Sequence, residues 1–174
     1  MSEVISKEKK ILRKQFLSIR RAMNNELVLD KSQKIVEQLS VLYHESAQKI
    51  HCFLPLEDDN EPDLRAYIEM LQSKDCQVYT SSPEKQTGRK IKPLDIMPKE
   101  YVLDNDIKFD LIIVPMIAGN KDTNQRLGFG GGFYDRLLSS QPSAETIGVC
   151  FDECLSEIIP AEPHDKMVDT LITA

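Results

Sequence analysis

Wound at 100° per residue, residues 6–23 separate their apolar from their charged side chains. Ile5, Ile11, Leu12, Phe16, Ile19, Ala22 and Met23 share one face, and Lys10, Arg13, Lys14, Arg20 and Arg21 share another. The pattern predicts a helix with a basic stripe, read either as a solvated face or as a clamp folded back over an anion site. A second helix is expected over residues 25–45, with Val28, Ile35, Val36, Leu39, Leu42 and Tyr43 facing inward.

The period then changes. "KIHCFLPL" (49–56) reads as a strand stopped by Pro55, "PDLRAYIEML" as a helix with Pro62 in its first turn, and "CQVYTS" as a second strand, which together make a β-α-β unit. "FDLIIVPMIA" (109–118) is a short, β-branched apolar run of the kind found in a central strand buried on both faces. A helix over residues 133–139, the strand "TIGVCF" and a last strand near "VDTLIT" continue the alternation. Between Ser81 and Asp104, proline, charge and turn residues mix, and only a short strand near residues 90–94 is expected there. Alternating elements imply an α/β fold: one domain over residues 1–174, a mostly parallel sheet flanked by helices on both faces, and an N-terminal helical pair.

Composition adds boundaries. The chain has 174 residues, 41% hydrophobic, with 22 basic against 28 acidic residues and a net charge of −6, a balance that disfavours a general polyanion binder. No run approaches the roughly 18 apolar residues of a membrane span, and a cytoplasmic protein is expected. Cys52, Cys76, Cys150 and Cys154 form no CxxC pair, and His44, His51 and His164 are far apart in sequence. Buried, unreactive thiols and no zinc site are expected.

In open α/β sheets, ligands bind beyond the carboxyl ends of the strands, where the segment "QRLGFGGGFYDRLL" (125–138) lies after the strand at 109–115. Its glycines allow backbone N–H groups to converge on an anion at a helix start, and a phosphate is the natural guest. Phe133 stands where GxGxxG needs its third glycine, and no GxxxxGK[ST] occurs, so the common dinucleotide and Walker loops are disfavoured. Arg126 is suited to phosphate oxygens and Asp135 to Mg²⁺ or to a helix start. "LEDDNEPD" after the first strand is either an acidic solvent loop or part of the ligand edge, and Asp165 and Asp169 precede the last strand as turn or site residues.

"KKILRKQF", "FLPLEDDNEPD", "RLGFGGGFYDRLL" and "EPHDKMVDTLIT", in this order, resemble the 5-formyltetrahydrofolate cyclo-ligase family over nearly the whole chain. The resemblance implies cyclisation of 5-formyltetrahydrofolate to 5,10-methenyltetrahydrofolate with ATP as co-substrate and Mg²⁺ as cofactor, in a monomer that takes small molecules and neither nucleic acid nor membrane. Family ATP contacts fall on Lys9, Lys10 and Arg13, and on Arg126, Leu127, Gly128, Phe129, Gly130, Gly131, Gly132, Phe133 and Tyr134. Arg126 and Tyr134 take the catalytic positions. Folate contacts fall on Leu56, Glu61, Phe129, Gly130, Gly131, Gly132 and Phe133, and metal positions on Asp135 and Asp169. Some members carry a lysine where this chain has Gly131, and some a methionine in place of Leu56. A sugar-phosphate or acyl-CoA-binding isomerase or transferase is the alternative of a different class, and a nucleic-acid module built on the basic helix is the third.

Overall fold

The computed structural model describes residues 2–84, 88–93 and 107–174. Two helices open the chain, α1 (Ser2–Ala22) and α2 (Asn25–Leu42). The turn between them is short because Asn24 caps α2, its side-chain oxygen accepting from Leu27 N at 2.8 Å. Then follow β1 (Lys49–His51), α3 (Arg65–Ser73), β2 (Gln77–Glu84), β3 (Gly88–Pro93) and β4 (Leu111–Pro115). The chain ends with β5 (Ala118–Gly119), β6 (Arg126–Leu127), α4 (Phe133–Ser140), β7 (Glu145–Cys150) and β8 (Thr170–Thr173).

Six strands form one sheet in the order β3-β2-β1-β4-β7-β8, parallel except for β3. Every residue of β4 is buried, and alternation divides them between two layers. Leu111 and Ile113 pack with Ile35 and Leu39 of α2 and with Tyr67, Ile68 and Leu71 of α3. Ile112 and Val114 pack on the opposite face against Tyr134, Leu137 and Leu138 of α4. The α3 and α4 crossovers therefore cover opposite faces, and the chain leaves β1 and β4 in opposite directions. A switch point between these strands opens a crevice at their carboxyl ends.

The first helix closes this crevice from above. Phe16 joins Met116, Ile117, Leu127, Cys150, Cys154 and Ile159, residues that follow or end the strands, in a third cluster with Leu12, Leu17 and Ile19 at its margin. The inward face of α1 carries cations as well as apolar side chains. Lys9, Phe16, Arg20 and Met23 are all buried, whereas Ile11 is 67% exposed and Ala22 is exposed. Assigning Arg20 to a solvent stripe and Ile11 to the core is thus incorrect, because this helix docks on a polar crevice and not only on a core.

Other differences have local causes. The first strand ends at His51, not Leu56: Cys52 N still reaches Tyr79 O at 2.8 Å, and the chain then turns away with Cys52 and Phe53 buried. Helix α3 starts at Arg65 instead of Pro62, with Asp63 Oδ1 accepting from Arg65 N at 3.0 Å. Helix α2 ends at Leu42, before Glu45. The second strand runs on to Glu84 and pairs antiparallel with β3, which includes the expected residues 90–93; position 94 and the loop to 104 lie outside the described residues. The small β5–β6 ladder was not expected. Its turn is held by Asn120, whose Oδ1 accepts from Asp122 N and Thr123 N at 2.9 Å each.

Candidate active site

The β5–β6 ladder delivers Arg126 and Leu127 to the mouth of the crevice, and the glycine loop follows at once. Gly130 has φ +93°, and Gly132, at φ +66°, is the N-cap of α4. Left-handed values at both positions are cheap only for glycine. Arg13 reaches down from α1, and its Nε donates to the Gly128 carbonyl at 2.7 Å. A Cβ on Gly130 would sit 3.1 Å from the Arg13 Cζ, whereas one on Gly131 would meet nothing within 4 Å.

Around this loop the charges are paired and partly desolvated. Arg126 Nη2 donates to Asp135 Oδ1 at 2.6 Å, and Lys166 N donates to the same oxygen at 3.0 Å. The Arg126 side chain is only 5% exposed, and its Nε has no hydrogen-bond partner among the described residues. Burial lowers the Arg126 pKa while Asp135 pulls it back up. Lys9, on the same face of α1 as Arg13, donates to Glu162 Oε2 at 3.1 Å and to Asp165 Oδ2. Burial alone would raise the Asp165 carboxyl, but the Glu162 backbone N–H and the Lys9 ammonium outweigh it and hold the group below the usual aspartate value.

At the other end, the loop after β1 presents Glu61, 4% exposed, whose Oε2 accepts from Leu56 N at 2.9 Å. Phe129 lies nearby with 43% of its surface exposed, an aromatic face available for stacking. Glu61, the glycine loop, Arg13, Lys9, Arg126, Asp135, Glu162, His164 and Asp165 line one cavity of about 220 Å³. A wider hollow of about 630 Å³ adjoins it, lined by Gly130, Gly131 and Gly132 together with Arg136, Ser139 and Ser140. The glycine loop therefore has a concave space on either side.

Of the residues singled out from sequence, Lys9, Arg13, Glu61, Asp135 and the run from Arg126 to Tyr134 come together here. Three do not line the cavity. Lys10 is exposed on α1, and Leu56, 38% exposed, donates its backbone N–H to Glu61. Asp169 Oδ2 accepts from Thr146 N at 2.8 Å and from Thr146 Oγ1 at 2.7 Å, stitching β8 to β7. Tyr134 is 8% exposed, its ring edge-on to Phe133 and His51. Sequence reasoning named no site role for Glu162 and His164, left Asp165 open between turn and site, and put Arg20 on the basic stripe opposite the apolar face. The Arg20 spacing from Phe16 and Met23, four and three residues, was the available signal; only the distant Lys9 contact identifies Glu162 and Asp165. All four cysteines are buried free thiols, and desolvation pushes Cys52 and Cys150 up and Cys154 to about 11.

The arrangement puts Lys9, Arg13, Arg126 and the glycine loop around one cavity with a buried carboxylate and a partly exposed aromatic ring. A model of the 5-formyltetrahydrofolate cyclo-ligase family matches residues 5–174. The chain belongs to that family. A 5-formyltetrahydrofolate cyclo-ligase of Mycolicibacterium smegmatis is 43% identical over 87 residues, which span 49% of this chain and 42% of that protein. The Escherichia coli K12 protein of the same name is 28% identical over 133 residues, 66% of this chain and 72% of the relative. The likeness extends to structure. A solved 5,10-methenyltetrahydrofolate synthetase from Mycoplasma pneumoniae matches with a TM-score of 0.78 at 26% identity, covering 94% of this chain and 97% of the other. The α/β architecture is thus that of solved methenyltetrahydrofolate synthetases.

Proposed function

We propose that the protein cyclises 5-formyltetrahydrofolate to 5,10-methenyltetrahydrofolate, converting ATP to ADP and phosphate. The observation that carries this reading is the single crevice in which Lys9, Arg13, Arg126 and the glycine loop face a buried Glu61. One end suits the phosphates of ATP. The other suits a pterin, whose amino-pyrimidine edge offers paired N–H donors to a carboxylate, with Phe129 to stack on.

The formyl oxygen is a poor leaving group until it is phosphorylated. It attacks the γ-phosphorus, the bond to the β-phosphate oxygen breaks and ADP leaves. The N10 nitrogen then attacks the activated formyl carbon and loses its proton, and phosphate departs with the C–O bonding pair. No protein nucleophile is required, and the buried thiols supply none. Catalysis consists of alignment and charge stabilisation. Arg13 and the loop amides hold the phosphates, Arg126 meets charge developing on the transferred group, and Tyr134 packs beneath the loop and fixes its course.

The carboxylates of Asp135, Glu162 and Asp165 border the cavity beside these cations, and hard oxygen donors suit Mg²⁺. Asp135 would hold it together with Glu162 and Asp165, whose ligand atoms lie within 4.8 Å of one another, whereas Asp169 does not line the cavity. When bound, Mg²⁺ supplies neutralisation of the phosphate oxygens. We further infer a monomeric, cytoplasmic enzyme; no helix among the described residues is long and apolar enough to cross a membrane.

The test is to incubate the protein with 5-formyltetrahydrofolate, Mg²⁺ and ATP and follow the near-ultraviolet absorbance of the methenyl product. Product is expected only when both ATP and Mg²⁺ are present. Formation without ATP, or no product at all, sinks the reading.

A further inference from the structure

Arg20 is 1% exposed, and nothing in the reaction above uses it. Its Nε donates to the Asp59 carbonyl and its Nη1 to the Met116 carbonyl at 3.1 Å, while Nη2 lies 3.9 Å from Glu61 Oε1. The Phe129 ring centroid is 5.9 Å from Cζ. One guanidinium thus touches the loop after β1, the chain leaving β4 and the glycine loop. Asn60, in a left-handed conformation at φ +47°, reinforces the junction, its Nδ2 donating to the carbonyls of Arg20 and Met23 at 2.9 and 3.1 Å.

Desolvation is costly for a guanidinium, and it lowers the Arg20 pKa against the opposing pull of Glu61. A loop that only had to be pinned is held as well by apolar packing, without that cost. What the planar fork adds is direction: hydrogen-bonded to the Asp59 and Met116 carbonyls, it holds its charge 3.9 Å from the Glu61 carboxylate and 5.9 Å from the Phe129 ring centroid. We propose that Arg20 is a positioning residue for the folate substrate, holding the Glu61 carboxylate and the Phe129 ring in the orientation that receives the pterin. The inference rests on the folate-cyclising reading, and its distinctive consequence is that folate affinity depends on a side chain buried behind the site while ATP affinity does not.

Arg20→Lys keeps the charge and loses the fork, and Arg20→Met keeps approximate length and loses both. Equilibrium dialysis of the whole chain against 5-formyltetrahydrofolate and, separately, against ATP with Mg²⁺ reads the two affinities without turnover. Folate Kd is expected to rise about tenfold in Arg20→Lys, with ATP Kd within about twofold of the wild type. Arg20→Met should go further in the same direction. In a Glu61→Ala background, Arg20→Lys should add clearly less than about tenfold to the folate Kd, because one of the two partners it positions is already gone. Equal losses of both affinities, or a lowered melting temperature with folate Kd unchanged, would assign Arg20 to the fold alone and overturn the proposal. Should Arg20→Met not fold, Arg20→Lys and the Glu61→Ala comparison decide. A wild type that binds folate but forms no methenyl product removes the catalytic reading and leaves the Arg20 result standing; one that binds no folate overturns both.

Discussion

Gly130 and Gly131 are neighbours in one loop, and the structure assigns them opposite tolerance. Alanine at position 130 meets two penalties. Its φ of +93° lies where L-residues are strained, which costs about 1–2 kcal/mol. The new methyl would also stand 3.1–3.4 Å from three atoms of the Arg13 guanidinium, which must move and strain its bond to Gly128 O. A hydrogen bond from a charged donor is worth about 1.5–3 kcal/mol. The two effects sum to about 2.5–5 kcal/mol, and if half of that is felt when the phosphates bind, ATP kcat/KM falls roughly 8- to 60-fold at about 1.4 kcal/mol per decade. At position 131 a methyl meets open space, and Gly131→Ala should change ATP kcat/KM by less than about twofold. Steady-state kinetics with ATP varied at saturating folate, run on both variants beside melting curves, makes the comparison. Equal losses at the two positions, or an unaffected Gly130→Ala, would refute the reasoning.

The opposite settings of Lys10 and Arg13 on α1 predict that Lys10→Ala leaves ATP KM within about twofold, whereas Arg13→Ala raises it about tenfold; a larger effect for Lys10 would show that the exposed side chain reaches the phosphates after all. For pH, the Asp165 carboxyl is depressed in the folded state, so its stabilising contribution is present above its unfolded value of 3.8 and lost as pH falls through the lower folded value. Melting curves of wild type and Asp165→Asn should therefore differ near neutral pH and begin to converge as pH falls below about 4, and a constant gap through that fall would reject the Glu162 N–H and Lys9 contacts as the cause.

The order of helices and strands was legible because most segments state one period strongly. The run Leu111–Pro115 is apolar at every position and lands in the middle of the sheet, and the α3 and α4 crossovers follow from alternation alone. The antiparallel β2–β3 pair was not legible. Pro83 and Pro93 read as breakers, yet the pairing of β1 with β2 stops at Tyr79, so beyond it β2 has a partner on one side only, and β3 is an edge strand where proline is tolerated. In the site, the glycine loop and Glu61 carry local signals. Arg20 carries only a weak one, its spacing from Phe16 and Met23, because a basic residue on an amphipathic helix is normally solvated, and only the crevice beneath α1 makes an inward arginine affordable.

The bonds that bring α1 to the site also order events in time. Lys9 meets Glu162 and Asp165 across 153 and 156 residues of chain, and Arg13 meets Gly128 across 115. At about 5–20 residues per second on a ribosome, the first helix emerges roughly 8–30 s before its carboxylate partners are made. The β1-α3-β2 unit can pair in that interval, but the phosphate end of the crevice cannot close. A nascent chain would hold its cations ready with nothing to clamp them over the loop, and nucleotide binding should appear only after the segment carrying Glu162 and Asp165 has been synthesised and docked.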